Sequence, residues 1–426
     1  MSDWRDLTVG KLVEAGAAEI KTGPFGTQLR AADYVHEGRP VINVRNIGFG
    51  RLRPEKLEYI DESTATRLSS HLLEPWDIVF ARKGAVERHL LVGKEQQGWM
   101  QGSDCLRLRL DPVAVHPPFV SYLLLRREFQ IWVAQQAAHG ATMATLNQAI
   151  ISRIPLRLPD LEMQRRIASI LGAYDDLIEV NRRRIALLEE MARRLFEEWF
   201  VHLLSPGRSG DARNEGLPPR WRRVAIRHAY EGLFDGPHAT PPPSDNGPVF
   251  LGIGNLTETG RLDLTSVRHI AEADFPQWTR RVTPREGDIV FTYEATLNRY
   301  ALIPKNFRGC LGRRLALIRA NTASGMNRYL YLYFFTPAWR EVITRNTLSG
   351  ATVDRIPLSR FPTFPVVLPP EDLLLRFDKL IAPIFKQMHA LDRANDALAA
   401  SRDLLLPRLV SGELAVTAER ELEVAA

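Results

Sequence analysis

Two polar loops follow the same tetrapeptide. Asp77-Ile78-Val79-Phe80 leads into Ala81-Arg82-Lys83-Gly84-Ala85-Val86-Glu87-Arg88-His89, and Asp288-Ile289-Val290-Phe291 leads into Thr292-Tyr293-Glu294-Ala295-Thr296-Leu297-Asn298-Arg299-Tyr300. A constant strand before a changing loop is the pattern of a scaffold that carries a reader. Arg82, Lys83, Arg88 and Arg299 can meet phosphates or guanine edges, Asn298 can meet an adenine edge, and Tyr293 stands beside them. Arg45-Asn46 and Gly254-Asn255 occupy matching turns and are weaker candidates, while Arg313-Arg314 suits phosphate contact. A solvated surface hairpin would carry the same residue types. Asp77 and Asp288 are repeated acids, and a turn cap before a strand fits them better than catalysis.

Motifs for chemistry of the chain's own do not occur. There is no G-x-x-x-x-G-K-[ST] phosphate loop, no H-E-x-x-H, and no Asn/Asp-Pro-Pro-aromatic motif of the kind that holds a flipped base. Gly252-Ile253-Gly254 lacks the third glycine of a dinucleotide loop. Glu19-Ile20-Lys21 with Asp6 offers half of a nuclease-type constellation, a triplet that chance supplies often. Cys105 and Cys310 do not occupy equivalent places, which argues against a disulfide framework or a cysteine metal site. We therefore expect no catalytic residue, no metal and no bound cofactor. The net charge of +6 rests on 56 basic residues, of which only 8 are lysine. Arginine forks suit phosphate and guanine, although codon usage in a GC-rich genome gives the same bias. With no apolar run of about 18 residues, no membrane span is expected. No secretory signal is expected at the N-terminus either, so the expected location is cytoplasmic.

The elements that must position these loops come in two sets. An offset of 210 or 211 residues aligns the two tetrapeptides, Gly140-Ala141-Thr142 with Gly350-Ala351-Thr352, and Leu158-Pro159 with Leu368-Pro369. Arg39-Pro40-Val41 aligns with Gly247-Pro248-Val249. So long a period signals a duplicated domain, not a solenoid. In each copy, Val41–Val44 and Val249–Leu251, Asp77–Phe80 and Asp288–Phe291, and Leu106–Leu110 and Leu315–Ile318 read as strands. Phe119–Ala138 and Tyr329–Thr344 each read as one helix. Ser205–Asp211 is a flexible linker by composition, and Pro241-Pro242-Pro243 is a stiff insertion.

Each copy ends in a long heptad-patterned run. Ile167, Leu171, Tyr174, Ile178, Asn181, Ile185, Leu188, Ala192, Leu195 and Trp199 step by 4 and 3, and so do Phe377, Ile381, Ile384, Met388, Leu391, Asn395, Leu398, Arg402, Leu405 and Leu409. A 3.5-residue repeat makes a coiled-coil seam. Placing Asn181 opposite Asn395 in an antiparallel pair sets partners whose position numbers add to 576, which joins Ile178 to Leu398, Ile185 to Leu391 and Leu188 to Met388. The expected structure is one antiparallel coiled coil whose register an Asn–Asn hydrogen bond fixes; the alternative is two Asn at the seam edge, each meeting water. Pro383 should kink or start the second helix, and Pro407 should end it with Leu409 outside. Trp199 in the seam would turn Phe200 outward, where it would need a partner's cover. The pairing implies a pseudo-two-fold axis, with the two copies held apart by helices of about 38 residues, about 57 Å long.

These parts resemble the specificity subunits of type I restriction–modification systems. The resemblance rests on Leu158-Pro159 followed by Glu162-Met163-Gln164-Arg165-Arg166-Ile167-Ala168 and a helix ending Leu195-Phe196-Glu197-Glu198-Trp199-Phe200-Val201. It rests equally on Leu217-Pro218-Pro219-Arg220-Trp221 and on Leu404-Leu405-Leu406-Pro407-Arg408-Leu409-Val410-Ser411-Gly412-Glu413-Leu414. It covers the whole chain, departing at Glu371-Asp372, where the family commonly shows Glu-Gln, and at Pro383. The resemblance implies an α+β fold with two mixed α/β target-recognition domains (1–160 and 205–370), a central conserved helix (161–204) and a distal conserved helix with tail (371–426). It implies that each domain reads half of a split site in double-stranded DNA. The helices set the spacer and dock two methyltransferase (modification) subunits, through which motor–nuclease (restriction) subunits join. S-adenosylmethionine, ATP and Mg would then sit on those partners. Two rival readings are a non-catalytic DNA-binding scaffold and a stand-alone nuclease or methyltransferase.

Overall fold

A computed structural model of the chain describes residues 4–137, 144–202, 217–349, 353–414 and 416. The repeated Gly-Ala-Thr triplets and the Ser205–Asp211 linker lie outside the described residues. The chain divides into two compact units, 1–180 with 394–426, and 181–393. Dividing the chain into heads and helices would isolate the long helices; instead each helix gives one half to each unit. The reason is packing. Ile167, Leu171, Leu406 and Leu409 share one core with Phe119 and Leu156 of the first copy. Ile185, Ala192, Phe377 and Ile381 share another with Tyr329 and Val366 of the second.

In the first unit a five-stranded sheet has the order Ala18–Thr22, Cys105–Leu110, Ile78–Ala81, His89–Leu91, Phe49–Gly50. Its middle strand Ile78–Ala81 is buried throughout, which is why four apolar residues in a row form it instead of an alternating pattern. A four-stranded sheet (Tyr34–Val35, Glu58–Ile60, Arg39–Ile42, Met100–Gln101) and a ribbon pairing Arg5–Thr8 with Pro155–Leu158 complete it. The second unit repeats the plan. Its four-stranded sheet runs Gly232–Asp235, Leu315–Arg319, Ile289–Thr292, Tyr300–Leu302. Beside it stand a three-stranded sheet on Ser244–Leu251 and a ribbon of Arg222–Ala225 with Pro365–Leu368. Register repeats with topology: Leu106 faces Phe80 as Ala316 faces Phe291.

Each expected single helix in a copy is two. The first copy has Pro117–Leu124 and Arg127–Ala137, the second Met326–Tyr333 and Pro337–Asn346. In the second, the Thr336 hydroxyl accepts from Trp339 N and Pro337 takes the first helical position, a start signal inside an apolar-periodic run.

The long helices span Leu161–Phe196 and Glu371–Val410. Every seam position expected on them is buried or half-buried. Within the first unit Asp175 pairs with Arg402. Within the second, the Trp199 and Phe377 rings lie 5.5 Å apart. These pairs add to 577 and 576, so each unit carries the antiparallel register expected from the seam. The second helix does not start at Pro383, which lies inside it, and it does not end at Pro407 but continues to Val410. Both prolines are exposed, so the carbonyl each leaves unbonded lies on the solvated side, while Leu409 and Val410 continue the helix because they are buried in the first core.

Candidate nucleic-acid interface

Three loops meet at the same end of each central sheet. In the first copy Gly23 N donates to Cys105 O (2.9 Å) and Arg82 N to Asp104 O (2.8 Å). This joins the turn after Thr22, the loop before Cys105 and the loop after Ala81. In the second copy Gly236 N donates to Leu315 O (2.9 Å) and Tyr293 N to Arg314 O (3.1 Å), joining the matching three. A fourth segment closes each platform: Leu146 N donates to Arg82 O (2.8 Å), and Ile356 N to Tyr293 O (2.7 Å). The turns are pressed together without room for side chains. A Cβ on Gly23 would lie 1.9 Å from Gly102 O, and one on Gly236 would lie 2.2 Å from Gly312 O.

Two ion pairs, each of a buried Asp with a half-buried Arg, anchor the far ends of the loop-bearing strands. Asp77 accepts from Arg109 Nε (2.7 Å) and Nη2 (2.8 Å), and Asp288 accepts from Arg319 Nε (2.9 Å) and Nη2 (2.7 Å). Each Asp also caps its turn, accepting from Glu74 N and Arg285 N respectively, both at 2.8 Å. That is the turn-cap role expected of these acids.

The candidate readers separate by what already holds them. Lys83 pairs with Asp104 (3.0 Å), Arg45 with Glu58 (2.8 Å) and Arg314 with Glu294 (3.4 Å). Arg88 lies 5.6 Å over the Phe49 ring and 3.6 Å from Glu87. Arg299 donates to Leu256 O and Glu258, both at 3.1 Å, and so ties down a neighbouring turn. Asn298 adopts φ +60° and its Oδ1 accepts from the Tyr300 hydroxyl (3.2 Å). Tyr293 is buried, which raises the pKa of its phenol. Arg313 is exposed and Arg82 half-buried, and among the described residues neither guanidinium meets an acid.

Two expectations are corrected. Asn46 is wholly buried, donates to Arg53 O (3.1 Å) and Glu55 O (2.9 Å), and accepts from Asn43 N (3.1 Å). Asn255 does the same with Asp263 O (2.9 Å), Ser266 O (3.2 Å) and Gly252 N (2.9 Å). Their match across the repeat marks a loop staple, and their amides are spent inside the fold. Phe200 is not outward. The helix widens to a π turn over Glu197–Val201, and this rotates Phe200 to 2% exposure against Phe377 (4.7 Å), Tyr329 (5.0 Å) and Trp221 (5.8 Å). Trp199, half-buried, lies on Phe377 and fills the seam as expected.

Sequence reading missed Phe25, Gln28 and Asp104 in the first platform and His238, Arg281 and Arg355 in the second. The signal was present in the pairing of Gly23-Pro24-Phe25 with Gly236-Pro237-His238. The nuclease-type triplet is not assembled: Glu19 pairs with buried Arg107 (2.8 Å) in the sheet, while Asp6 belongs to the separate ribbon. Among the described residues no cluster of His, Cys, Asp and Glu is placed to hold a metal. No described helix is long and apolar enough to cross a membrane.

His89 ends the first loop as a wholly buried residue, its Nε2 2.8 Å from Ser121 Oγ, and burial pushes its pKa down to about 4. The unfolded chain takes up the proton first, near 6.5. The stability due to neutral His89 is therefore present above pH 6.5 and is lost as pH falls toward 4, a total of roughly 3 kcal/mol. Urea melts of the wild type and His89→Gln across this window should diverge, with the wild type losing more stability; parallel curves would contradict it.

The fold and the paired platforms define a duplicated module whose two copies share backbone bonding and differ in side chains. Residues 72–190 match the family model described as type I restriction modification DNA specificity domain. The MjaIX specificity subunit of Methanocaldococcus jannaschii is 23% identical over 69% of this chain and 68% of its own length. The HindI specificity subunit of Haemophilus influenzae is 21% identical over 77% and 84%. The crystal structure of the type I S subunit from M. genitalium superposes with a TM-score of 0.53 over 96% of both chains at 14% identity, a likeness of fold. The chain is thus similar, in part of its sequence and in its fold, to the specificity subunits of type I restriction–modification systems.

Proposed function

We propose that each copy reads one half of a two-part site in duplex DNA and that the chain performs no catalysis. The observation that carries this reading is the platform of four segments, built twice with the same backbone bonds and different side chains. The long helices set the spacer and hold two methyltransferase subunits, which carry S-adenosylmethionine. Motor–nuclease subunits with ATP and Mg join through them, and the complex works in the cytoplasm. Selection from a random duplex pool by the chain with its methyltransferase subunits tests it. Two short conserved blocks with a fixed gap are expected, and a single block or no enrichment would contradict it.

The docking surface proposed is the outer face of the first long helix. Leu177 and Val180 on one half are 52% and 44% exposed; Leu187 and Met191 on the other are 65% and 44% exposed. Apolar side chains this exposed on a helix already packed along its seam mark a contact surface. Leu187→Glu with Met191→Glu should weaken methyltransferase binding by about ten- to a hundredfold in sedimentation or calorimetry, while the melting curve of the chain stays put. Unchanged binding would move the docking surface elsewhere.

A further inference from the structure

We propose that Phe25 is a positioning residue for base readout: its ring holds the Arg82 guanidinium as a fixed fork for a guanine edge in the first half-site. This rests on the DNA-reading function proposed above.

The Arg82 guanidinium carbon lies 5.3 Å from the centroid of the Phe25 ring. Phe25 is 55% exposed, an unusual placement for a phenyl ring with no role at the surface. The turn that carries it is rigid at both ends. Gly23 is packed so closely on Gly102 that no Cβ fits, Pro24 fixes its own φ, and the backbone N of Phe25 donates to Gln28 Oε1 (3.2 Å). The Arg82 backbone is pinned on both sides, by Asp104 O and Leu146 N. Guanidinium and ring are thus each presented from a fixed backbone, and a cation over an aromatic face is attracted to it.

Arg82 differs from its neighbours in what it is not bound to. Lys83, Arg88, Arg45, Arg299 and Arg314 each have a carboxylate partner. Among the described residues the Arg82 guanidinium has the ring and no hydrogen-bond acceptor. Bidentate arginine to guanine O6 and N7 requires a planar fork with free donors. A fork already held in one plane loses less freedom on binding.

The second domain places other chemistry at the same two positions. His238 replaces Phe25 on a turn equally closed at Gly236, and its Nε2 lies 3.1 Å from Asp235 Oδ2. Buried Tyr293 replaces Arg82. The two half-sites should therefore differ at the base pair beneath this turn.

Methylated adenines mapped in a host carrying the chain with its methyltransferase subunits provide the test. With Phe25→Leu, one position of the first half-site should relax, discrimination there falling about ten- to a hundredfold, while the second half-site and the gap stay unchanged. Arg82→Lys should relax the same position, Phe25→Trp should keep the wild-type motif, and His238→Ala should alter only the second half-site. A wild-type motif from Phe25→Leu, or relaxation spread over both half-sites, would overturn the inference and leave the DNA-reading function standing. If Phe25→Leu abolishes methylation altogether, Arg82→Lys decides, since an unchanged motif from it overturns the inference. Absence of any two-part motif from the wild type overturns both.

Discussion

Arg319→Ala should destabilise the second unit by roughly 3–5 kcal/mol. Asp288 is the group that suffers. Its carboxylate is almost wholly buried and receives two hydrogen bonds from Arg319, leaving only the Arg285 amide if that arginine is removed. An uncompensated buried charge costs far more than the pair contributes, so the large effect comes from breaking the pair and not from the pair's net worth. Asp288→Asn combined with Arg319→Met should recover much of the loss, because the amide still accepts from the Arg285 backbone and no charge is stranded. Urea melts of the single and double variants measure this directly. Equal losses in Arg319→Ala and the double variant would show that the arginine acts by packing alone. Arg109→Ala should behave alike in the first unit, where Asp77 holds the matching place.

Phe200→Ala should cost the same unit about 3–5 kcal/mol, a fall in its melting temperature of about 6–20 °C. The ring is enclosed by Phe196, Trp221, Tyr329 and Phe377, residues from four separate stretches of the chain. Its loss leaves a cavity where the end of a long helix meets the globular core. Trp199→Ala should cost less, since Trp199 is only half-buried. Calorimetry of the two variants checks the ranking. A near-neutral Phe200→Ala that loses methyltransferase binding would restore the outward, partner-facing role that the sequence suggested.

The duplication was legible because backbone hydrogen bonding and turn capping constrain residue type at fixed places. Asp77 and Asp288 must cap and pair, and the strands after them must be apolar on both faces, so the tetrapeptide repeats. The seam was legible for a similar reason: a 3.5-residue period has few other uses. What failed depended on facts outside a local window. Pro383 and Pro407 looked like breakers, but a proline on the wet side of a packed helix loses only a hydrogen bond that water replaces. Phe200 looked outward because a regular helix was assumed, and one π turn was enough to reverse its face. Asn46 and Asn255 looked like readers because a staple and a reader use the same amide; only the three backbone hydrogen bonds each makes tell them apart. Phe25 was missed because an aromatic after Gly-Pro reads as turn composition until its partner Arg82, far along the chain, is brought over the ring.

Exchanging residues 1–158 for those of a relative with a different target, then mapping methylated adenines with the same methyltransferase subunits, tests the division of labour between the two copies most directly. One half of the recognised sequence should be replaced, with the other half and the gap between them unchanged. If both halves change together, or if the gap changes while both halves persist, the two copies do not read separately.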